Sequence, residues 1–300
     1  MLLRARKLLT FLCLIALFLT VSCFPFFEKI EKEKTEFIRE YPDASRSLRV
    51  SGHELHYMRT GNESGPLIVF VHGSPGSWDA FAEFLRDKDL QSKAAMISID
   101  RPGFGLSGRG QAEKSLEAQA LFISRVIEQN RKGARVLLVG HSFGGPVIAR
   151  IAMDRPDLVQ GLLFIAASVD PDLEIVRWYQ RAGDLALFRW LLPEDLDTAN
   201  QEILPLKGEL EKLRWDSIHC PVIVIQGGDD DLVPPGNADY LGKKLPQSRM
   251  IRMPGWNHFI PWAHPQQVKE AILDLLREKP LTHIAKATPD YFSSRTRSFR

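Results

Sequence analysis

Val139-Gly140-His141-Ser142-Phe143-Gly144 decides the reading of this chain. It contains Gly-x-Ser-x-Gly at the junction of two different patterns. Upstream, Arg135-Val136-Leu137-Leu138-Val139 is short, apolar, β-branched and bounded by glycines, as a buried strand should be. Downstream, Phe143-Gly144-Gly145-Pro146-Val147-Ile148-Ala149 begins a helical pattern of small and apolar residues. A serine on so sharp a strand-to-helix turn is pushed out of the sheet with its hydroxyl exposed, the geometry that presents a nucleophile. Short glycine motifs also arise by chance, so the rest of the chain has to support it.

Working outward, strands and helices alternate. A starting hairpin is expected from Leu48–Val50 and Leu55–Arg59, turned at Gly52. Leu67–Val71, Ala94–Ile99, Leu162–Ile165, Val222–Ile225 and Arg249–Arg252 read as strands. Trp78–Arg86, Leu116–Gln129 and Pro265–Leu276 read as helices. With the strand before Ser142, this predicts an α/β fold: a mostly parallel central sheet of about eight strands flanked by helices. The interval Pro171–Ser217 has no good strand and reads as a small helical lid inserted after the sixth strand. Its Trp178, Tyr179, Leu185, Leu187, Phe188, Trp190, Leu191 and Leu192 either line a substrate pocket or pack the lid onto the body. Packing is the preferred reading for each residue taken singly.

The N-terminus has a different character. Met1–Lys7 is basic and Leu8–Val21 almost wholly apolar, the layout of an export signal. The apolar run is short for a membrane span, which takes about 20 residues. Leu19-Thr20-Val21-Ser22-Cys23 resembles a bacterial lipoprotein box, with Thr20 where a larger aliphatic residue is usual. Residues 1–23 are therefore expected to be a signal peptide or membrane anchor: lipidated at Cys23, retained as an uncleaved signal anchor, or cleaved for simple secretion. Residues 24–47 read as a charged tether, 48–279 as the folded domain, and 280–300 as a disordered Ser, Thr and Arg-rich tail. The expected location is exported and membrane-anchored. The formal net charge is +2; removing Arg4, Arg6 and Lys7 leaves 36 basic against 37 acidic residues, or −1. That balance gives no basic surplus for nucleic acid. Of three cysteines only Cys220 lies in the domain, so no disulfide framework or zinc spacing is present there, and Cys220 reads as a buried small hydrophobe.

A serine hydroxyl needs a base, and near neutral pH that base is a histidine held by a carboxylate. Gln226-Gly227-Gly228-Asp229-Asp230-Asp231-Leu232-Val233-Pro234 follows one buried strand, and Pro254-Gly255-Trp256-Asn257-His258-Phe259 follows the last. Any of the three adjoining aspartates is a candidate acid on position alone. His53, His56, His219, His264 and His283 have no supporting pattern. The clustered aspartates lack further ligands spaced around them, so no metal is expected.

Over roughly Leu48–Arg277 the chain resembles the α/β-hydrolase fold family. Four landmarks occur in the family's order. His72-Gly73-Ser74-Pro75-Gly76 is similar to the oxyanion loop, and Asp100-Arg101-Pro102-Gly103-Phe104-Gly105-Leu106-Ser107 to the loop after the fourth strand. The Ser142 turn is the third, and the aspartate and histidine segments together are the fourth. The family pattern Gly-x-x-Asp-x-x-Val-Pro selects Asp230, leaving Asp229 and Asp231 as solvated neighbours. The resemblance implies Ser142 as nucleophile, His258 as base, Asp230 as its orienting acid, and backbone N–H groups of Ser74 and Phe143 as the oxyanion hole. His72 and His141 are placed as loop-shaping residues. Glycines 73 and 76 let the loop approach substrate, and glycines 144 and 145 let the helix pack on the preceding strand. The implied activity is cofactor-free hydrolysis of a small-molecule acyl substrate, most simply a carboxylic ester. Serine at the elbow argues against epoxide hydrolases and haloalkane dehalogenases, which carry aspartate there. A carbon–carbon bond hydrolase, thioesterase, lactonase, peptidase, perhydrolase or catalytically silent binding protein remains open on the same scaffold.

Overall fold

The structure, a computed structural model, describes residues 31–185 and 189–278. The expected leader, Cys23 and the 280–300 tail lie outside the described residues, as do Leu187 and Phe188. The chain divides into two compact units between Arg46 and Ser47. In the first, residues 31–40 are helical. Lys32 and Glu36 face each other at 4.0 Å one turn apart, and the Phe37 and Tyr41 rings pack at 4.9 Å. Among the described residues no helix is long and apolar enough to cross a membrane, and no group of three metal-ligating side chains converges.

The second unit is built on an eight-stranded sheet with order β1-β2-β4-β3-β5-β6-β7-β8. The strands are β1 (Ser45–Val50), β2 (His53–Gly61), β3 (Leu67–Val71), β4 (Ala95–Ile99), β5 (Val136–His141), β6 (Val159–Ile165), β7 (Val222–Gly227) and β8 (Arg249–Met253). Ser51 and Gly52 connect β1 to β2 with φ of 49° and 87°, the two left-handed residues that a tight hairpin turn demands. β2 pairs antiparallel with β4; from β4 through β8 every pairing is parallel. β3, β4, β5 and β7 are buried throughout, which is why they read as unbroken apolar runs rather than alternating ones. β8, at the edge, is only half-buried.

Helices α1 (Leu116–Asn130), α2 (Gly144–Asp154), α4 (Gly236–Lys244) and α5 (Pro265–Arg277) flank this sheet together with shorter turns, while α3 (Glu194–Ile203) lies in the segment between β6 and β7. α5 buries Val268, Ala271, Ile272 and Leu275, the i, i+3, i+4, i+7 stripe of a helix laid on a sheet. The expected helix Trp78–Arg86 is instead a 3₁₀ turn, Trp78–Phe81, running into a short α-helix, Ala82–Arg86. Between β6 and β7 the described residues are helical at Trp178–Gly183, α3, Leu206–Leu210 and Trp215–Ser217. The packing expected of this segment's large side chains does not hold. Trp178, Tyr179, Leu185, Trp190 and Leu191 are exposed, with Trp178 at 79%. Its buried contribution comes from Ala199, Leu206, Leu210, Leu213 and Trp215 instead.

Two registers position the site. Val71 of β3 lies opposite Gly140 of β5, so the loops leaving these strands start side by side. Gly227 of β7 lies opposite Met253 of β8, so the next two loops do the same. From β3 the sheet order runs to β4 on one side and β5 on the other, and clefts open at the carboxyl ends of strands around such reversals.

Candidate active site

Ser142 follows β5 directly and has φ +53°, in the left-handed region. For a residue with a Cβ that conformation costs about 1–2 kcal/mol, so it persists only where surrounding contacts hold it. They do: Ser142 N–H donates to Ile165 O at 3.0 Å, and Ser142 O accepts from Gly145 N–H at 2.9 Å and Ser168 N–H at 3.3 Å. α2 begins at once, with Phe143 as its cap. The first N–H groups of a helix have no intrahelical partner, and the helix dipole favours negative charge there.

The turn closes only because it is lined by glycines. A Cβ on Gly144 would stand 2.1 Å from Val71 O, so no side chain fits where α2 meets the end of β3. A Cβ on Gly73 would stand 2.9 Å from the Ser142 Cβ and 3.2 Å from His141 Nδ1. The loop after β3 therefore passes in van der Waals contact with Ser142. Ser74, the next residue, has a buried hydroxyl without a hydrogen-bond partner among the described residues.

On the other side, β7 and β8 deliver Asp230 and His258. The side chains meet with His258 Nδ1 2.9 Å from Asp230 Oδ2. A carboxylate oxygen accepts, so Nδ1 carries the proton and Nε2 is left as an acceptor. Asp230 is 3% exposed and its Oδ1 accepts from Leu232 N–H (3.0 Å) and Val233 N–H (2.8 Å). Gln226 Nε2 donates to Oδ2 at 3.3 Å. Asp229 and Asp231 are exposed, so the three adjoining aspartates separate into one buried residue and two solvated ones.

His141 ties the two halves together. Its Nε2–H donates to His258 O at 3.0 Å, and the two rings pack at 4.7 Å. Burial pushes the His141 imidazole down to about 3, with the neighbouring His258 adding to the shift, so His141 is neutral and cannot compete for the proton His258 would carry. His72 donates from Nδ1 to Gly73 O at 2.7 Å and accepts at Nε2 from Arg101 N–H at 3.0 Å. Both histidines shape loops.

Several further polar groups in the fold have partners that sequence reasoning did not identify. Ser168, just past β6, bonds through its hydroxyl to Glu174, whose carboxyl burial holds above its usual range, with Asp170 adding to the rise. His56 and Asp100 form a second buried pair, 2.8 Å apart. Arg101 is fully buried and ion-paired to Glu202 on α3. Cys220 is half-buried, and desolvation pushes its thiol up to about 12.

A family model described as the alpha/beta hydrolase family matches residues 68–271. The pimeloyl-[acyl-carrier protein] methyl ester esterase of Nitrosomonas europaea is 26% identical over 258 residues, covering 71% of this chain and 96% of its own. Epoxide hydrolase 3 of Mus musculus is 21% identical over 286 residues, covering 77% and 76%. Among solved structures, a membrane phospholipase A described as a novel bacterial virulence factor aligns with a TM-score of 0.64 and 21% identity, over 92% of this chain and 100% of that one. Identity that low speaks to the fold alone. The family model, however, spans more than half of the sequence and agrees with the sheet order and the site built at its strand ends: the chain belongs to the alpha/beta hydrolase family and is an enzyme of the hydrolase class.

Proposed function

We propose that this protein is a serine hydrolase cleaving a carboxylic ester through Ser142, His258 and Asp230. One observation carries the reading: His258 is fixed by Asp230 as the tautomer with a free Nε2, and its backbone is bonded to the residue preceding Ser142 on the strained turn. Ser142 Oγ attacks the carbonyl carbon as His258 Nε2 takes the hydroxyl proton. Charge on the former carbonyl oxygen is met by the backbone N–H groups of Ser74 and Phe143, each worth about 3 kcal/mol to the tetrahedral intermediate. Collapse expels the alcohol, which leaves with the proton from His258. Water then attacks the acyl-enzyme by the same route, restoring Ser142 and releasing the acid.

Serine at the turn argues against the aspartate-nucleophile chemistry of epoxide hydrolases, despite similarity to the mouse enzyme. The exposed Trp178, Tyr179, Trp190 and Leu191 support an apolar acyl group. The basic and apolar order of residues 1–21, followed by Cys23, supports export and attachment to a membrane. The test is turnover of p-nitrophenyl esters of increasing chain length, with fluorophosphonate labelling in parallel. Wild type hydrolyses and labels; Ser142→Ala does neither while remaining folded. Folded wild type that neither labels nor hydrolyses any ester removes the proposal in favour of a binding protein on this scaffold.

A further inference from the structure

The chemistry just proposed leaves the Arg101–Glu202 pair unused. Both side chains are fully buried, an arrangement proteins keep only when the charges are well paired. Every N–H of the Arg101 fork has an acceptor. Nε donates to His72 O at 3.0 Å, and Nη2 to Gly73 O at 2.9 Å and Glu202 Oε1 at 2.8 Å. Nη1 donates to Glu202 Oε2 at 2.7 Å and Gln119 Oε1 at 3.0 Å. Gln119 Nε2 in turn donates to Glu202 Oε2 at 3.3 Å. The guanidinium also lies over the Phe143 ring, 4.5 Å from its centre, and over that of Phe104 at 4.8 Å.

The carbonyls it holds are those of the loop against Ser142. In a trans peptide the C=O and the following N–H point in opposite directions. Fixing Gly73 O toward Arg101 therefore turns the Ser74 N–H away from Arg101, and fixing His72 O does the same for the Gly73 N–H. His72 Nδ1–H grips the same Gly73 carbonyl. The second oxyanion donor belongs to Phe143, whose side chain rests on the same guanidinium. One buried cation thus fixes the carbonyls on one side of the proposed oxyanion hole and packs against the side chain of the residue on the other. Its direct counter-charge, Glu202, comes from α3, in the helical segment between β6 and β7.

We infer that Arg101 and Glu202 are positioning residues that make the oxyanion hole depend on the seating of α3, so that this segment controls rate as well as access. This rests on the Ser142 serine-hydrolase reading. The test compares wild type, Arg101→Lys, Glu202→Asp and, as a control on an exposed ion pair between β6 and β7 with neither residue on α3, Lys207→Ala. The measurements are kcat and KM on a short p-nitrophenyl ester and the Ki of a trifluoromethyl ketone, whose adduct carries the oxyanion. Arg101→Lys keeps the charge but loses the fork, and Glu202→Asp is too short to reach both Nη groups. Removing a whole oxyanion donor costs about 10²–10³ in kcat, so misaligning donors is expected to cost about 10–100-fold. Ki is expected to rise in parallel and KM to stay within about threefold. Lys207→Ala stays at wild-type values. Folded Arg101→Lys and Glu202→Asp with unchanged kcat and Ki, or with only KM raised, overturn the inference. So does failure of both to fold, since each keeps one cation against one anion. If wild type is not labelled by fluorophosphonate, the serine-hydrolase reading itself has failed. If labelling depends on Ser142 but these variants match wild type, only the positioning role has.

Discussion

Two buried histidine–aspartate pairs stand in this fold with nearly the same geometry. His258 and Asp230 are 2.9 Å apart, His56 and Asp100 2.8 Å. Each aspartate also accepts two backbone N–H groups, and the difference lies in how these are shared. At Asp230 both backbone donors, Leu232 and Val233, fall on Oδ1, leaving Oδ2 to the histidine and the long contact from Gln226. At Asp100 they are split: Trp78 N–H on Oδ1 at 2.8 Å, Leu106 N–H on Oδ2 at 3.0 Å beside His56. Asp100 is a cross-brace that ties three chain segments together. Asp230 is anchored by one oxygen and has the other to offer. A His–Asp distance is thus no evidence of catalysis by itself; the neighbours of the pair decide, and only His258 is bonded to the Ser142 turn.

Asparagine, with one acceptor oxygen and one NH₂, separates these roles. Asp230→Asn keeps its oxygen on Leu232 and Val233 and turns NH₂ toward His258, forcing the proton onto Nε2. The expected outcome is a fall in kcat of about 10⁴-fold with unfolding free energy within about 1 kcal/mol of wild type. Ester turnover and urea unfolding on one preparation check both halves.

Asp100→Asn reverses the pattern. Whichever way the amide is turned, an NH₂ meets a backbone N–H, leaving a buried donor unpaired. Destabilisation of about 2–4 kcal/mol is expected. His56→Gln, which keeps a polar partner for Asp100, should match wild type in turnover per folded molecule. A catalytic loss in His56→Gln on the scale of Asp230→Asn would erase the distinction drawn between the pairs.

His141, a buried histidine outside both pairs, gives the smallest effect and a pH signature. His141 is held near 3 in the folded state against 6.5 ordinarily, mainly by burial and then by His258. The unfolded chain therefore takes up a proton at 141 that the folded chain refuses. Stability falls as pH drops from about 6.5 toward 3, by up to about 1.4 kcal/mol per pH unit from this group. Urea midpoints at pH 7 and pH 5 should differ less in His141→Gln than in wild type, by up to about 2 kcal/mol in unfolding free energy. Equal pH dependence in the two proteins would mean that His141 is not held neutral by burial.

The same contrast explains what was legible in the sequence. β3, β4, β5 and β7 announced themselves because both faces are buried, and the turn chemistry around Ser142 and before Val233-Pro234 is local. Position after a strand offered His258 and three adjoining aspartates, and only the resemblance's Gly-x-x-Asp-x-x-Val-Pro pattern selected Asp230 among them. His56–Asp100 and Arg101–Glu202 join residues 44 and 101 positions apart. Neither pair has a period or a neighbouring motif, so tertiary packing alone creates them. Asp100 and Arg101 were visible only as part of a resembling loop, with no hint of their partners. The exposed aromatics between β6 and β7 were misjudged for a related reason. Large apolar residues were expected to pack onto the body, but smaller neighbours such as Ala199 and Leu206 occupy the buried positions.

The left-handed backbone at Ser142 bears on how such a gene would decay. Glycine adopts that conformation freely, so a copy released from any need for the hydroxyl gains on the order of 1 kcal/mol by drifting to glycine at position 142. Under the proposed mechanism, serine there is a thermodynamically disfavoured letter that selection for the hydroxyl would have to defend. On the proposed reading, related sequences that keep serine here are expected to have kept activity and those that carry glycine to have lost it, a difference legible in a genome before any protein is made.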